Sequence, residues 1–216
     1  MLEIDGARYS GSGTIVRQAV VLAALTGQAV HITNARSRRA KPGLQLQHVR
    51  VVEAIRELVK GSVEGVSQGS QELRFWPGRK LGGLSTYVWD IGSAGSATLL
   101  ALAVLPLIAF APHPIESELR GGVFQDFAPS FFHLDEVMLP LIQRMGVHAE
   151  LVMCRPGYVP RGGGILKLST KPLESWLRAV AHSEQGNLEN ITGIALASHL
   201  ENALSREGWR TQPTEP

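Results

Sequence analysis

Gly11-Ser12-Gly13-Thr14 opens the apolar run Ile15 to Leu25, and Gly95-Ser96-Ala97-Thr98 opens a second apolar run, Leu99 to Ala109. The two stretches lie 84 residues apart. At the same offset Arg36 falls on Arg120 and Leu58 on Ile142, while Gly61 meets Gly146 only at an offset of 85. A match that persists across two helices and the loop between them implies duplication of one supersecondary unit. A one-residue slip at a helix end is easily tolerated.

Working outward from the two glycine-bordered turns, each unit reads in the same order. A short strand (Leu2–Ile4; Thr86–Ile91) precedes the turn and its buried helix. A β-branched segment (Ala29–Thr33; Ile115–Leu119) and a basic or Gly-Gly loop follow. A second helix comes next (Leu46–Lys60; Ser130–Met145), amphipathic in the first unit at Val49, Val52, Ile55, Leu58 and Val59. Two strands close each unit, Ser62–Gln68 with Glu72–Trp76 and Val147–Met153 with Gly164–Ser169. The β-α-β-α-β-β order predicts an α+β fold of α/β layers, with helices packed on one face of mixed four-stranded sheets. The expected domains are a first repeat over residues 1–84, a second over 85–170, and the start of a small inserted domain over 171–216, cut short. In that last part Lys171-Pro172 breaks the pattern, Ile191–His199 alternates loosely, and Leu200–Arg206 reads as helix. Thr211–Pro216 has the composition of a disordered tail.

A formal charge of only +2 excludes a surface that holds nucleic acid by general electrostatics, so such contact has to come from local clustering. The single cysteine, Cys154, excludes an intrachain disulfide framework and a Cys-rich zinc site, and fits a reducing cytoplasm. With only Arg155 beside it, Cys154 reads as a structural thiol. The N-terminus shows no basic leader before an apolar core, so no secretory signal is expected. The most apolar run, Ala97 to Ala111, contains Pro106 and is shorter than the ~20 residues that span a bilayer, so it reads as a buried helix. The expectation is a soluble cytoplasmic protein with no membrane partner.

The densest charge lies in Asn34 to His48, where Arg36, Arg38, Arg39 and Lys41 precede Pro42-Gly43 and lead into Gln47-His48. Guanidinium groups offer planar forks of donors that match phosphate oxygens. Pro fixes φ and Gly permits a sharp turn, so Pro42-Gly43 stiffens the loop that presents them. A solvated basic loop is the plainer alternative. Elsewhere, Gly162-Gly163-Gly164 lacks the Lys-Ser/Thr of a phosphate loop and suits close approach of a strand to another backbone. Asp90, Asp126 and Asp135 make no carboxylate pair, and no metal site is assigned.

The duplicated unit, the loop at 36–48, Ile91-Gly92-Ser93-Ala94-Gly95-Ser96-Ala97-Thr98 and the stretch Arg155 to Gly164 together resemble the RNA 3′-terminal phosphate cyclase family. Ile4-Asp5-Gly6, Gly69-Ser70, Pro77-Gly78, Gly82-Gly83 and Gly121-Gly122 support the match, which runs from about residue 1 to about residue 206. The resemblance implies three β-α-β-α-β-β repeats with a small domain before the third. It also implies ATP-dependent conversion of an RNA 3′-phosphate to a 2′,3′-cyclic phosphate through an adenylated histidine, with a divalent metal. It places Arg17, Arg36, Arg39, Gln47 and His48 at the RNA 3′-phosphate, leaves the nucleotide-binding residues unassigned, and names no catalytic residue here.

The departures from the family carry equal weight. Ser10 stands where the family has an acid, and a hydroxyl offers a cation no negative charge. Leu102 stands where the family has a glutamine near the nucleotide. The third repeat, with the nucleophilic histidine, is expected to be missing, and His31, His113, His133, His148, His182 and His199 read as surface or boundary residues. A nucleophile needs an orienting partner in register. The chain alone is therefore expected to bind an RNA 3′-phosphate end without self-adenylation. The alternatives are a non-catalytic RNA-binding protein of the ribosome-assembly type and a truncated reading frame. Surface left bare by a missing repeat would favour self-association.

Overall fold

Period-two alternation of buried and solvent-facing residues builds two four-stranded sheets. Strands β1 (Leu2–Asp5), β2 (Val30–Thr33), β3 (Ser62–Glu64) and β4 (Leu73–Trp76) form one, in the order β1-β2-β4-β3. Strands β5 (Thr86–Asp90), β6 (Ile115–Gly121), β7 (His148–Arg155) and β8 (Gly164–Lys171) form the other, in the equivalent order β5-β6-β8-β7. In each sheet the first pair is parallel and the other two are antiparallel. The computed structural model describes residues 1–78, 83–181 and 183–196. Met1–Val180 is one compact unit containing both sheets, and Ala181 begins another.

Ile32, Leu73 and Phe75 of the first sheet, and Ile115, Leu119, Leu166 and Leu168 of the second, are fully buried. They face helices α1 (Gly13–Thr26), α2 (Leu46–Val59) and α3 (Ala97–Ala109), which also pack on one another, so one continuous core serves both sheets. The α+β layer fold is the one that the element order implies.

The equivalence of Arg36 and Arg120 does not survive the strand register. Leu2 pairs with Val30 and Thr86 with Glu116, so the middle strands are offset by 86 residues although the first strands are offset by 84. The cause is the connection, since residues 27–29 join α1 to β2 while residues 110–114 join α3 to β6. Arg120 lies within β6 opposite Asp90, and its guanidinium pairs with Glu118 at 2.6 Å.

Other boundaries move for local reasons. The expected strand Ser62–Gln68 ends at Glu64, because Gly65 turns the chain at φ 70 against Glu72. The expected helix Ser130–Met145 is broken into α4 (Phe131–His133), a π-helical stretch (Leu134–Met138) and α5 (Leu139–Arg144). Pro140 in the first turn of α5 has no N–H and its ring collides with the preceding turn, and the wider π turn accommodates it. Cys154 is exposed at a bulge between β7 and β8.

The described residues after Lys171 carry no helix or strand. The alternation expected at 191–199 is not a strand over 191–196. Ile191 and Ile194 are exposed there, and no neighbouring ladder takes up their backbone groups. Gly82, His182, His199, the helix expected at 200–206 and the tail lie outside the described residues. Among the described residues no helix is long and apolar enough to cross a membrane.

Candidate functional site

Three helix N-termini line one cleft of about 670 Å³. Ser12, Gly13, Thr14 and Arg17 come from α1, while Gln45, Leu46, Gln47 and His48 come from the start of α2. Ser93, Ala94 and Gly95 lead into α3. Ser12 caps α1 by accepting from the Thr14 amide at 3.3 Å, and Ser96 caps α3 by accepting from the Leu99 amide at 3.0 Å. None of the three first turns contains an acid. Unpaired N–H groups and the positive end of each helix dipole make such a place receptive to anions.

The basic loop enters the cleft by way of two left-handed residues, Asn34 (φ 51) and Arg36 (φ 54). The Asn34 side chain donates to Asp5 Oδ1 at 3.1 Å, and the Ala7 amide donates to the same oxygen at 3.0 Å. These bonds, Ala7 first, hold the Asp5 carboxyl below its ordinary range, so Ile4-Asp5-Gly6 is a clip that fixes the loop's start. The Arg36 guanidinium donates to the carbonyls of Lys41 (2.8 Å) and Gly43. Gly43, at φ 76, packs so closely on Gly69 that no side chain fits. Gly69-Ser70 is the brace behind the loop, bonded to Leu44 on both its edges.

Arg17, Arg36 and Arg39 all line the cleft, and among the described residues none is paired with a carboxylate. Burial disfavours the charge on Arg17, whose one side-chain bond is to Thr14 at 3.1 Å. Burial, then repulsion from Arg39, does the same to Arg36. Arg38 and Lys41 are outside the lining, Arg38 donating instead to the Ala7 carbonyl at 3.4 Å.

His48 is 3% exposed and lies directly over the N-terminus of α1, where a Cβ on Gly13 would overlap its Nε2. Its Nδ1 accepts from the Gln45 amide at 3.0 Å, which places the ring proton on Nε2. Burial first, then Arg36 and Arg17, push its pKa down to about 4. The ring is neutral at pH 7 and acts as a hydrogen-bond donor. Gln47 is committed to structure: its Oε1 accepts from the Ser96 amide at 3.2 Å and ties α2 to the start of α3.

All five residues expected from the sequence thus come together. The opposite wall was not foreseen. Gln125, Asp126 and Phe127, from the loop after β6, complete the lining. With the Gln125 amide turned over, its nitrogen donates to the Ala94 carbonyl and its oxygen shares the Ser96 amide with Gln47, at 3.0 Å. Ser12 lies in the repeated turn and Ser93–Gly95 in the stretch Ile91–Thr98 that carries the family resemblance, but nothing in Gln125-Asp126-Phe127 marks a site. The Gly162-Gly163-Gly164 run does its work one layer behind. A Cβ at Gly162 would lie 2.8 Å from Ala94 Cα, so the glycine lets this strand entry pin the turn before α3.

Leu102 does not reach the cleft. It is half-buried and lines an apolar gap with Leu134, Met138 and Leu139, which offers a glutamine amide no polar side chain. The Ser10 hydroxyl donates to Ser12 at 3.0 Å. His31 bridges Glu3 (2.6 Å) and Glu72 (2.8 Å) on the outer face of the first sheet, away from the cleft lining. Among the described residues no group of three or more His, Cys, Asp or Glu side chains is placed to hold a metal ion, and Asp126 is the cleft's one carboxylate.

The family model described as RNA 3′-terminal phosphate cyclase matches residues 8–205, a span that contains every residue of the cleft.

Proposed function

The chain belongs to the RNA 3′-terminal phosphate cyclase family, and from that premise we propose that the cleft grips the terminal phosphate of an RNA 3′ end. One observation carries the reading: Arg17, Arg36 and Arg39 meet three helix N-termini with no carboxylate partner among the described residues. A phosphate dianion there relieves both the buried charge and the repulsion between Arg36 and Arg39. His48 Nε2–H adds a neutral donor of fixed direction. It orients rather than attacks, because its Nδ1 lone pair is taken by the Gln45 amide and Nε2 carries the proton.

The family's reaction is ATP-dependent cyclisation, and the donors lining the cleft suit the phosphates of a nucleotide as they suit an RNA end. Bound ATP supplies the adenylyl group that makes a phosphate oxygen a leaving group for the neighbouring 2′-hydroxyl. The residues of this chain bind the phosphate, neutralise it and hold it still, which is the larger share of phosphoryl-transfer catalysis. A lone Asp126 does not constitute a cation site, and no step is assigned to a metal.

A second reading, binding without turnover as in the ribosome-assembly members of the family, is favoured by Ser10. Its hydroxyl is turned to Ser12 and carries no charge for a cation.

Fluorescence anisotropy with one RNA sequence ending in either a 3′-phosphate or a 3′-hydroxyl tests the grip. Two or three charge-assisted bonds predict roughly 100- to 1,000-fold tighter binding of the phosphate end. Equal affinity for the two ends would leave only general electrostatics and sink the reading.

A further inference from the structure

Phe127 is fully exposed, sits on the rim of the arginine-lined cleft, and holds φ at 62, a region that non-glycine residues rarely adopt. A single exposed apolar residue is ordinary on any protein surface. Here exposure, a strained backbone and a place on the phosphate cleft coincide in one side chain.

The neighbours of Phe127 show that the projection is imposed by the fold. The amides of Val123 and Phe124 both donate to the Gly157 carbonyl, at 2.9 and 3.1 Å. The Phe124 ring stacks on Tyr158 at 5.3 Å and on Phe132 at 5.9 Å. Gln125 is bonded to Ala94 and Ser96, and on the other side Ser130 caps α4 by accepting from the His133 amide at 3.2 Å. One aromatic of this loop is therefore packed, and the other, three residues on, is held out over the cleft.

We propose that Phe127 is a stacking platform for the nucleobase of the terminal nucleoside whose 3′-phosphate the arginines hold, an inference that rests on the phosphate-grip reading above. A flat π face beside a cationic phosphate site matches the two ends of a nucleotide. A single-stranded 3′ end leaves its last base free to leave its neighbour and stack on protein. Stacking is tolerant of base identity, since every base has a π face. Phe127 is a positioning residue on this account. It fixes the terminal sugar, and with it the 2′-hydroxyl, relative to the held phosphate.

The test uses the full chain and 5′-labelled RNA ending in a 3′-phosphate, with the last nucleotide either normal or abasic. Wild type binds the base-bearing RNA about tenfold more tightly, within the range that stacking gives per base. Phe127→Leu removes that preference, while Phe127→Trp retains it. If Phe127→Leu weakens both RNAs equally, or neither, the platform is refuted. So it is if the variant loses ATP affinity and leaves RNA binding untouched, which assigns the ring to the base of the nucleotide. The abasic comparison on wild type and Phe127→Trp decides the matter even if the Leu variant folds poorly. Measuring 3′-phosphate over 3′-hydroxyl preference in the same variants separates the two ideas: that preference persists in Phe127→Leu if the grip is real, whatever becomes of the platform.

Discussion

The loop after β2 and the loop after β6 occupy the same place in their repeats and line the same cleft, yet they bring opposite chemistry to it. The first carries Arg36 and Arg39 and is braced by Gly69-Ser70, and the second carries Gln125, Asp126 and Phe127 and is braced by Gly157. The helices behave alike. His48 and His133 are each the third residue of the second helix in their repeat, and Gly13 and Ala97 each the first residue of the first helix. Where the first repeat has glycine, the imidazole folds over the helix end and is buried; where the second has alanine, the imidazole is exposed. Duplication gave two scaffolds of one shape, and function was loaded unequally onto them by substitutions at matched positions.

The sharpest way to break this comparison is to remove the cations from one side. Arg36→Ala with Arg39→Ala is expected to weaken binding of 3′-phosphorylated RNA by roughly 100- to 1,000-fold, because two charge-assisted interactions are lost. Arg39→Ala alone is the cleaner variant, since Arg36 also holds the carbonyls of Lys41 and Gly43. Arg120→Ala, which removes a cation of the second repeat that is already paired with Glu118, should change affinity less than about twofold. A comparable loss from Arg120→Ala would mean that charge outside the cleft serves as well as charge within it.

Much of this was legible in the sequence, and the limits have physical causes. Apolar periodicity and the 84-residue repeat revealed the helices, the order of elements along the chain and the layers, because burial on one face imposes them. Arg17, Arg36, Arg39, Gln47 and His48 were legible through family resemblance, and the cleft unites them. Arg36 and Arg120 looked equivalent because a sequence offset ignores the two residues added before β6. Gln125 and Phe127 were invisible, since their role comes from sheet topology, which carries the loop of one repeat against the helix ends of the other. The commitment of Gln47 to the Ser96 amide was equally out of reach.

Acid should expose the asymmetry between the two histidines next. His48 titrates at about 4 when folded against 6.5 ordinarily, so the unfolded chain binds more protons between those values. Its contribution to stability is complete above pH 6.5 and is lost as pH falls through about 4. By the ~1.4 kcal/mol per unit of linkage, the loss is at most on the order of 3 kcal/mol. Urea unfolding followed from pH 7 to pH 4 should show this decline, and His48→Gln should remove that part of it. An unchanged pH profile in the variant would mean that the buried imidazole does not couple folding to pH.

Gly13→Ala tests the origin of that burial with the smallest expected effect. The added methyl overlaps His48 Nε2, so the ring has to leave its place or the helix end has to shift. Overpacking of this kind costs about 1–3 kcal/mol, and the better helix propensity of alanine returns up to about 1 kcal/mol. A net loss of roughly 1–2 kcal/mol in stability, read from the shift of the urea midpoint, is therefore expected. With His48→Ala in the background there is no ring to displace, and the same Gly13→Ala change should become neutral or slightly stabilising. Such non-additivity is the signature of a direct contact. The second repeat already holds the alanine form, Ala97 together with an exposed His133 at the matched positions, so the single variant should drive the first repeat towards the state of the second. Additive effects of the two substitutions would instead separate the glycine from the histidine and remove the proposed cause of their difference.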